Sequence, residues 1–413
     1  MSLPPPPLTA AMVQRQLDCA YRAHEGGQLH EALDAYQHLI AALPAMALLH
    51  YNLGLVLYEM AEFAQALPAF VQADHLAPED PDTLFNLALC HRKTGQPVAA
   101  IATYLHLLEV APGHIDGLYN LGGCYLHLHD DSQARDCYQR VLALDGNYLS
   151  ALNNLAYLHH RAGEMDEAIS LYGRVLEQRP EDASVQYLLA ALLEVPLDEA
   201  PESYVRDFFD AFAEDFERSL VEDLLYDNPQ QLYGCLCRSS IAAADCFQHG
   251  LDLGCGTGLS GLAFKGRTLM LDGVDLSAAM LAQAQTKGCY HHLHQDSIDH
   301  FLRTTSNHYD LFLATDVFIY VGNLLPVFTA AHGLGHSGTL FCFSTEHLSV
   351  PGFRLMPTGR FAYAPRYIHD LAADTGWQVM RTESTQLRRE REGWIGGDLW
   401  ILHWLGLATD VSE

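Results

Sequence analysis

The chain has 413 residues, of which 49% are hydrophobic and 18% are charged, a balance typical of a soluble globular protein with two or more domains. It carries 23 lysines and arginines against 51 aspartates and glutamates, so its formal net charge is −28. A surface of this sign repels nucleic acid and anionic membranes; it would attract a basic protein or a cationic small molecule, or it simply keeps the protein soluble. We therefore expect neither a nucleic-acid partner nor a membrane partner.

Cysteine usage and the start of the chain indicate a cytoplasmic protein. The ten cysteines are scattered and form no C-x-x-C pair, which is typical of reduced thiols. Residues 1–7 lack the basic region and the apolar core of a signal peptide. The histidine-rich segment 291–294 does not have the spacing of a zinc site, so we expect no metal.

A period of 34 residues runs through the amino-terminal half. An alanine recurs at this period, with an aromatic residue four positions after it and a small residue twelve positions before it, where two helices must approach closely. The alanines are Ala32, Ala66, Ala100, Ala134 and Ala168, the aromatic residues Tyr36, Phe70, Tyr104, Tyr138 and Tyr172, and the small residues Ala20, Gly54, Ala88, Gly122 and Ala156. This pattern resembles the tetratricopeptide repeat, a helix–turn–helix unit. The resemblance implies five repeats and a capping helix within residues 11–195.

Four asparagines recur at the same period, namely Asn52, Asn86, Asn120 and Asn154. Asparagine is a poor residue for the interior of a helix, so four in register need a reason. The row resembles the asparagine ladder of the O-linked N-acetylglucosamine transferase superhelix. That resemblance implies that the groove binds an extended peptide, since an amide can both donate to and accept from a peptide unit. In the alternative interpretation, the asparagines only satisfy neighbouring helices.

The second half predicts an α/β domain. Pro196 and Pro201 bracket an acidic linker, 196–203, and residues 204–216 have the pattern of an amphipathic helix. Strands are then predicted at about 249–254, 268–275, 290–295, 309–315 and 338–344, with a final hairpin at 377–387 and 396–405.

A glycine-rich turn joins the first of these strands to a helix. Residues 250–258 read Gly-Leu-Asp-Leu-Gly-Cys-Gly-Thr-Gly, and Asp275 ends the second strand. A doubly wound sheet holds an adenosine-containing ligand in this way, with the strand-end acid accepting hydrogen bonds from ribose hydroxyls. Asp252, just before the turn, suits a ligand with an ammonium and a sulfonium group, and it repels a pyrophosphate. The turn therefore resembles the S-adenosylmethionine loop of class I methyltransferases.

This resemblance covers residues 204–408 and implies S-adenosyl-L-methionine as cofactor. The residues it assigns to the cofactor are Asp252, Gly254, Cys255, Gly256, Asp275, Leu276, Met280, Asp296, Ser297 and Asp316. Met280 would lie near the adenine or belong to the core. Asp296 would contact the adenine amino group; alternatively, Asp296 or Ser297 would cap the next helix, and both roles could hold at once.

The residues after the fourth strand are expected to line the methyl donor, because ligands bind beyond the carboxyl ends of such strands. Asp316 and Tyr320 are the predicted catalytic residues that face the acceptor. The segment is not Asn-Pro-Pro-Tyr or Asp-Pro-Pro-Tyr, which argues against nucleic-acid bases and glutamine side chains as acceptors. A hydroxyl acceptor would need a base, and Glu346, His347 or Asp316 could serve.

The order of these parts resembles bacterial methyltransferases that contain tetratricopeptide repeats. The predicted fold class is α + α/β, an all-helical superhelix followed by a Rossmann-like class I methyltransferase domain. Two functions remain open: a methyltransferase whose repeats recruit a protein or peptide acceptor, or a small-molecule methyltransferase whose repeats dock a partner or form a dimer. A repeat scaffold with an inactive methyltransferase domain is disfavoured by the intact glycine turn and by Asp275.

Overall fold

A computed structural model of the chain describes residues 10–218, 220, 224–239, 246–390 and 393–404. The chain divides into two compact units, Met1–Gln178 and Arg179–Glu413. The first unit is helical and the second is built on a β-sheet, so the predicted α + α/β class is confirmed. Residues 405–408, at the end of the predicted methyltransferase domain, lie outside the described residues.

Helices of the first unit pack in consecutive pairs that follow the 34-residue period. They are α1 (Ala10–Glu25), α2 (Leu29–Ala42), α3 (Ala47–Glu59), α4 (Phe63–Leu76), α5 (Pro81–Lys93), α6 (Pro97–Val110), α7 (Ile115–His127), α8 (Asp131–Leu144), α9 (Leu149–Ala162) and α10 (Met165–Gln178). The five alanines and five aromatic residues of the period all lie at 0% exposure, in the second helix of each pair. Repetition of one buried contact set therefore builds the core of this unit.

The small residues of the period lie where aromatic rings cross the first helix. A Cβ atom on Gly54 would lie 2.7 Å from the ring of Phe70, and one on Gly122 would lie 2.7 Å from the ring of Tyr138. Both distances are too short for a real contact. Close helix approach is therefore the reason for glycine at these two positions, as the period predicts.

The second unit begins with α11 (Ala183–Leu192), which falls in residues 11–195, the range predicted for the repeats and their capping helix. Tyr187 and Ala191 of this helix belong to the buried core of the second unit. The Tyr187 hydroxyl also donates a hydrogen bond of 2.9 Å to the carbonyl of Gly359. The predicted boundaries at residues 195 and 204 stay a prediction, whereas the compact units divide at Gln178.

The sheet has a parallel body and antiparallel flanks. Its strands are β1 (Phe247–Leu253), β2 (Thr268–Asp275), β3 (His292–Gln295), β4 (Leu311–Ala314), β5 (Leu340–His347), β6 (Phe353–Leu355), β7 (Phe361–Tyr363), β8 (Trp377–Glu390) and β9 (Gly393–Trp404). The parallel order is β3-β2-β1-β4-β5, and β9 pairs antiparallel with both β5 and β8. Chain order reverses between β1 and β4, which is where open sheets of this kind bind ligands.

Helices connect these strands, and one short hairpin is additional to the sequence prediction. The helices are α12 (Glu202–Arg218), α13 (Asn228–Cys237), α14 (Leu259–Phe264), α15 (Ala278–Thr286), α16 (Ile298–Thr304), α17 (Leu325–Leu334) and α18 (Pro365–Asp374). The additional hairpin is formed by β6 and β7, and β7 pairs in parallel with the carboxyl end of β5. It therefore lies at the edge of the sheet where the site is expected.

Candidate functional site

The glycine turn after β1 lies at the point where strand order reverses. Gly254, Gly256 and Gly258 have φ values of 63°, 51° and 92°, a left-handed conformation that glycine adopts without strain. A Cβ atom on Gly254 would lie 2.7 Å from the side chain of Val317, which follows β4. The turn therefore packs directly against the segment that carries the predicted catalytic residues.

Tyr290, which is not among the residues predicted from the sequence, organises this turn. Its ring would lie 2.5 Å from a Cβ on Gly261, which explains glycine at that position, and 3.1 Å from a Cβ on Gly258, where the φ of 92° already favours glycine. Its hydroxyl accepts from the Gly261 N–H at 3.2 Å and donates to Asp252 Oδ2 at 2.6 Å. Tyr290 thus ties the start of α14 to the acid at the end of β1.

Asp252 is at 0% exposure, and its Oδ1 atom has no hydrogen-bond partner among the residues that the structure describes. Burial raises its pKa to about 7; the hydrogen bond from Tyr290 opposes this rise, and the Asp275 charge adds to it. A buried carboxylate with an unpaired oxygen costs free energy unless a cation or a donor reaches it. This atom therefore suits the cationic ligand that the sequence implies.

Asp275 is held by backbone on both sides. Its Oδ2 atom accepts from the Gly256 N–H at 2.8 Å, and its Oδ1 atom accepts from the Ser277 N–H at 2.9 Å. Burial raises the pKa of Asp275, and these two N–H groups oppose that rise. Each oxygen retains a further lone pair, so the carboxylate fits a pair of ribose hydroxyls.

The residues after Asp275 connect the carboxyl end of β2 to α12. Ser277 caps α15 by accepting from the Met280 N–H at 3.0 Å, and its hydroxyl donates to Asp210 of α12 at 2.5 Å. Met280 is 1% exposed, which agrees with a place in the core. Leu276 is partly exposed and accepts a hydrogen bond of 3.4 Å from Gln295. The aromatic helix α12 therefore lies against the predicted cofactor edge.

Three further predicted residues have structural partners. Cys255 is buried and donates its N–H to the Val274 carbonyl at 3.0 Å. The Asp296 carboxylate accepts from the Ser297 N–H at 2.8 Å and pairs with His300 Nδ1 at 2.7 Å. The Ser297 hydroxyl accepts from the His300 N–H at 3.3 Å. Ser297 is therefore the residue that caps α16, Asp296 holds the first turn of that helix through His300, and contact of Asp296 with an adenine stays a prediction.

Asp316 follows β4 in a left-handed conformation, with φ of 58°, which is uncommon outside glycine. Its N–H donates to the Ser344 hydroxyl at 2.8 Å, and its two carboxylate oxygens lie 2.7 and 2.9 Å from Nη1 of Arg388. Tyr320 lies in a 3-10 turn, Phe318–Tyr320, and its ring packs edge-on against Phe209 of α12, with centroids 5.6 Å apart. Burial raises the pKa of Tyr320.

Arg388 of β8 is the second residue that sequence reasoning missed. Its guanidinium also pairs with Glu346 of β5, one of the candidate bases, and with Glu390 at 3.1 Å. Burial raises the pKa of Glu346, and Arg388 opposes this rise. Arg360 makes a second ion pair with Glu390. His347, another candidate base, is instead held by Asp398, with 2.8 Å between Nδ1 and Oδ2.

In the first unit, the row of asparagines forms contacts between repeats. Asn86 Nδ2 donates to the Tyr51 hydroxyl of the preceding repeat at 3.3 Å, and Asn154 Nδ2 donates to the Tyr119 hydroxyl at 3.4 Å. Asn52 is the most buried of the four, at 9% exposure. These contacts correspond to the alternative in which the amides satisfy neighbouring helices.

Two of the amides also have a fixed orientation. Asn86 Nδ2 and Asn120 Nδ2 each donate at 2.8 Å to a carbonyl one helical turn earlier, those of Asp82 and Asp116. A carbonyl accepts only, so the amide nitrogen must face it and the amide oxygen must point away. The side chains of Asp82 and Asp116 are exposed, and neither forms an ion pair with a described residue.

Among the described residues, no group of three or more histidine, cysteine, aspartate or glutamate side chains could hold a metal ion. Within the same part of the chain, no helix has the length and apolar character needed to cross a membrane.

Comparison with known proteins identifies the two parts of the chain. Family models described as tetratricopeptide repeat match residues 79–147 and 132–192, and a model described as methyltransferase domain matches residues 251–333. No curated protein matches the chain.

Solved structures resemble each part at low identity. The MamA protein of Desulfovibrio magneticus is 18% identical and covers 41% of this chain and 97% of its own, with a TM-score of 0.39. YrrB, described as a repeat protein with an unusual peptide-binding site, is 17% identical over 42% of this chain and 89% of its own, with a TM-score of 0.39. Magnesium protoporphyrin IX methyltransferase of Synechocystis, solved with bound SAH, is 18% identical over 49% of this chain and 100% of its own, with a TM-score of 0.38. The family models assign the two parts of the chain. The chain therefore combines tetratricopeptide repeats with a methyltransferase domain.

Proposed function

We propose that this chain is a cytoplasmic methyltransferase that depends on S-adenosyl-L-methionine. The observation that carries the proposal is the unpaired, fully buried oxygen of Asp252 beside the glycine turn. A dinucleotide would bring its pyrophosphate to such a turn and meet this carboxylate with like charge, whereas an ammonium or sulfonium meets it with opposite charge. The ten free thiols agree with a reducing compartment.

The residues of the site divide the work of binding. Asp252 would face the positive end of the cofactor, Asp275 would accept from its ribose, and the backbone of Gly254–Gly256 would approach it closely. The cofactor brings an activated methyl group on a sulfonium that is its own leaving group. The protein therefore needs only to align donor and acceptor and to exclude water. The aromatic helix α12, which contacts Ser277 through Asp210, would exclude water from the cofactor site.

Calorimetry with S-adenosylmethionine and with a nicotinamide dinucleotide tests the cofactor. We expect heat only from S-adenosylmethionine, and heat only from the dinucleotide would overturn the proposal. Labelled methyl transfer in a lysate, resolved into protein and small-molecule fractions, then identifies the class of acceptor. The Asp275→Ala variant serves as the control for transfer that does not depend on the site.

We further propose that the repeats recruit a protein or peptide acceptor with a basic character. Two exposed carboxylates one repeat apart, Asp82 and Asp116, have no lysine or arginine partner among the described residues. The fixed amides of Asn86 and Asn120 add hydrogen-bond acceptors one helical turn further along. Such a strip offers acceptors and negative charge, and it therefore matches a segment rich in lysine or arginine.

A small-molecule acceptor, with the repeats serving a partner or a dimer, is the second candidate. Hydrogen bonds of asparagine nitrogens favour it, because Asn86 and Asn154 donate to tyrosines of neighbouring helices and Asn120 donates to a carbonyl of its own helix. Methyl label confined to the small-molecule fraction, with unchanged transfer in variants of the asparagine row, would establish this candidate in place of the first.

A further inference from the structure

Arg388 owes its buried position to an irregularity in β8. The pairing register between β8 and β9 shifts between Gln386 and Arg388, so Leu387 is an extra residue in its strand. Exposure along β8 alternates from Arg381 to Gln386, and then Leu387 and Arg388 are both buried in succession. A bulge of this kind re-aims the side chain that follows it. The Arg388 side chain, at 2% exposure, is thereby turned into the unit.

The guanidinium of Arg388 joins three acids from three separate segments. Its Nη1 atom contacts both carboxylate oxygens of Asp316, at 2.7 and 2.9 Å, while Nη2 pairs with Glu346 and Nε lies 3.1 Å from Glu390. Guanidinium donors have a rigid planar arrangement, so all three acids are held in one fixed geometry. The loop after β4, the end of β5 and the end of β8 are thereby linked.

Asp316 needs such support because of where it lies. Its φ of 58° is strained for any residue with a side chain, and such strain persists only where the surroundings impose it. On one side, the Thr315 hydroxyl contacts the hydroxyl of Ser260 in α14. On the other side, Val317 packs against Gly254 of the glycine turn. Asp316 is therefore the residue of this loop that both borders the turn and contacts Arg388.

We propose that Arg388 is a positioning residue for methyl transfer, which holds Asp316 against the glycine turn without touching a substrate; this rests on the proposed function. Among the described residues, Asp316 interacts electrostatically with Arg388, with the Glu346 carboxylate and with the phenols of Tyr226 and Tyr320. Without Arg388, Asp316 and Glu346 repel each other at close range and the strained loop loses its anchor. The competing view is that Arg388 only joins the carboxyl-terminal hairpin to the sheet.

The test uses the full chain with Arg388→Gln, Arg388→Lys, Asp316→Asn and the double variant. S-adenosylhomocysteine affinity is measured by calorimetry, and transfer is measured at saturating labelled S-adenosylmethionine into the fraction that the wild-type chain labels. We expect Arg388→Gln to slow transfer about 100-fold, the usual effect of a misplaced group, with affinity unchanged within about threefold. Arg388→Lys keeps the charge but lacks the planar guanidinium, so its rate of transfer should be about tenfold higher than that of Arg388→Gln. In the Asp316→Asn background, Arg388→Gln should add almost nothing.

Arg381→Gln is the matched control, because Arg381 lies on the same strand and pairs with Glu383 away from this cluster. It should transfer at the wild-type rate. A folded Arg388→Gln variant with the wild-type rate overturns the inference, and so does a loss that adds fully to that of Asp316→Asn. If Arg388→Gln does not fold, a wild-type rate in Arg388→Lys overturns it instead. Failure of the wild-type chain to bind S-adenosylhomocysteine would contradict the proposed function, a result distinct from these.

Discussion

Glycine is required in both units of the molecule, but the residue that requires it lies at very different distances along the chain. In the repeats, Gly54 and Gly122 leave room for the aromatic rings of Phe70 and Tyr138, which lie sixteen residues later in the same helix pair. In the methyltransferase unit, Gly261 leaves room for the ring of Tyr290, which lies in the segment before β3. Within a repeat, residues that contact each other lie at a fixed and short spacing in the sequence. In a doubly wound site, the residues that contact each other come from segments that are farther apart in the chain.

The largest effect is expected from filling each of these close contacts. Gly261→Ala would place a Cβ 2.5 Å from Tyr290, and Gly122→Ala would place one 2.7 Å from Tyr138. Overpacking of this kind destabilises a protein by about 1–3 kcal/mol. Only Gly261→Ala should also abolish S-adenosylhomocysteine binding, because it displaces the residue that holds Asp252. Denaturant unfolding and calorimetry measure the two effects.

Gly173→Ala is the control for these substitutions. The residue lies inside α10, and a Cβ atom at this position would have no neighbouring atom within 4 Å among the described residues. Alanine there should be neutral or stabilising by about 0.5–1 kcal/mol, because it favours the helix. Wild-type ligand affinity in a folded Gly261→Ala variant would show that Tyr290 does not organise the turn.

Removal of the ribose acceptor comes next in size. Asp275→Ala should weaken S-adenosylmethionine binding by about 1.5–3 kcal/mol, since hydrogen bonds to a charged acceptor are lost. It also leaves the N–H groups of Gly256 and Ser277 without their acceptor. Unchanged affinity in a folded variant would mean that the ribose is held elsewhere. Asp272→Asn, on the same strand, is not a suitable control for this variant, because Asp272 forms its own pairs with His249 and His292.

Tyr290→Phe probes the pH dependence of the same site. Burial raises the pKa of Asp252 to about 7. Below this pH the folded apoprotein keeps the Asp252 carboxyl protonated, whereas an unfolded chain has already lost that proton. The stability of the apoprotein should therefore fall as pH rises from about 4 to 7, and cation binding should strengthen through about 7. Because the Tyr290 hydrogen bond lowers this pKa, Tyr290→Phe should move the midpoint of binding to higher pH.

Calorimetry of S-adenosylmethionine binding between about pH 5.5 and 8.5, a range that brackets this pKa, measures the midpoint. Tyr309→Phe is the control, because Tyr309 is a buried tyrosine of the same sheet whose hydroxyl donates to Asp272, not to Asp252. The same midpoint in the wild type and in Tyr290→Phe would mean that the Tyr290 hydrogen bond does not affect the ionisation of Asp252.

The extent to which sequence predicts each region follows from the same contrast. The repeat period, the glycine turn and the acids at the strand ends are local patterns, and the family models and the sheet confirm the fold that they predict. Tyr290 and Arg388 escaped prediction for physical reasons. Tyr290 acts on a turn about thirty residues earlier, and Arg388 faces inward only because of a bulge that no alternation of exposed and buried residues announces. The three-residue strands β6 and β7 are too short to display a period.

The smallest effect, and the one that decides between the two acceptor classes, concerns the asparagine row. Asn86→Ala with Asn120→Ala should raise the Michaelis constant for a protein acceptor and leave the cofactor constant nearly unchanged. Each lost amide should cost about 0.5–1.5 kcal/mol, the net worth of a neutral hydrogen bond. Asn153→Ala is the matched control, because Asn153 is exposed in α9 beside the row and outside its register.

Charge in the same strip gives a second, independent readout. If the acceptor segment is basic, added salt should weaken its binding to the wild-type chain. Asp82→Asn with Asp116→Asn should then reduce this salt dependence, whereas the asparagine variants should leave it intact, because amides carry no charge. Wild-type kinetics in both double variants, with the chain folded, would mean that this strip does not recruit the acceptor. The acidic surface would then serve solubility alone, and the small-molecule acceptor would become the better account of a methyltransferase that carries repeats.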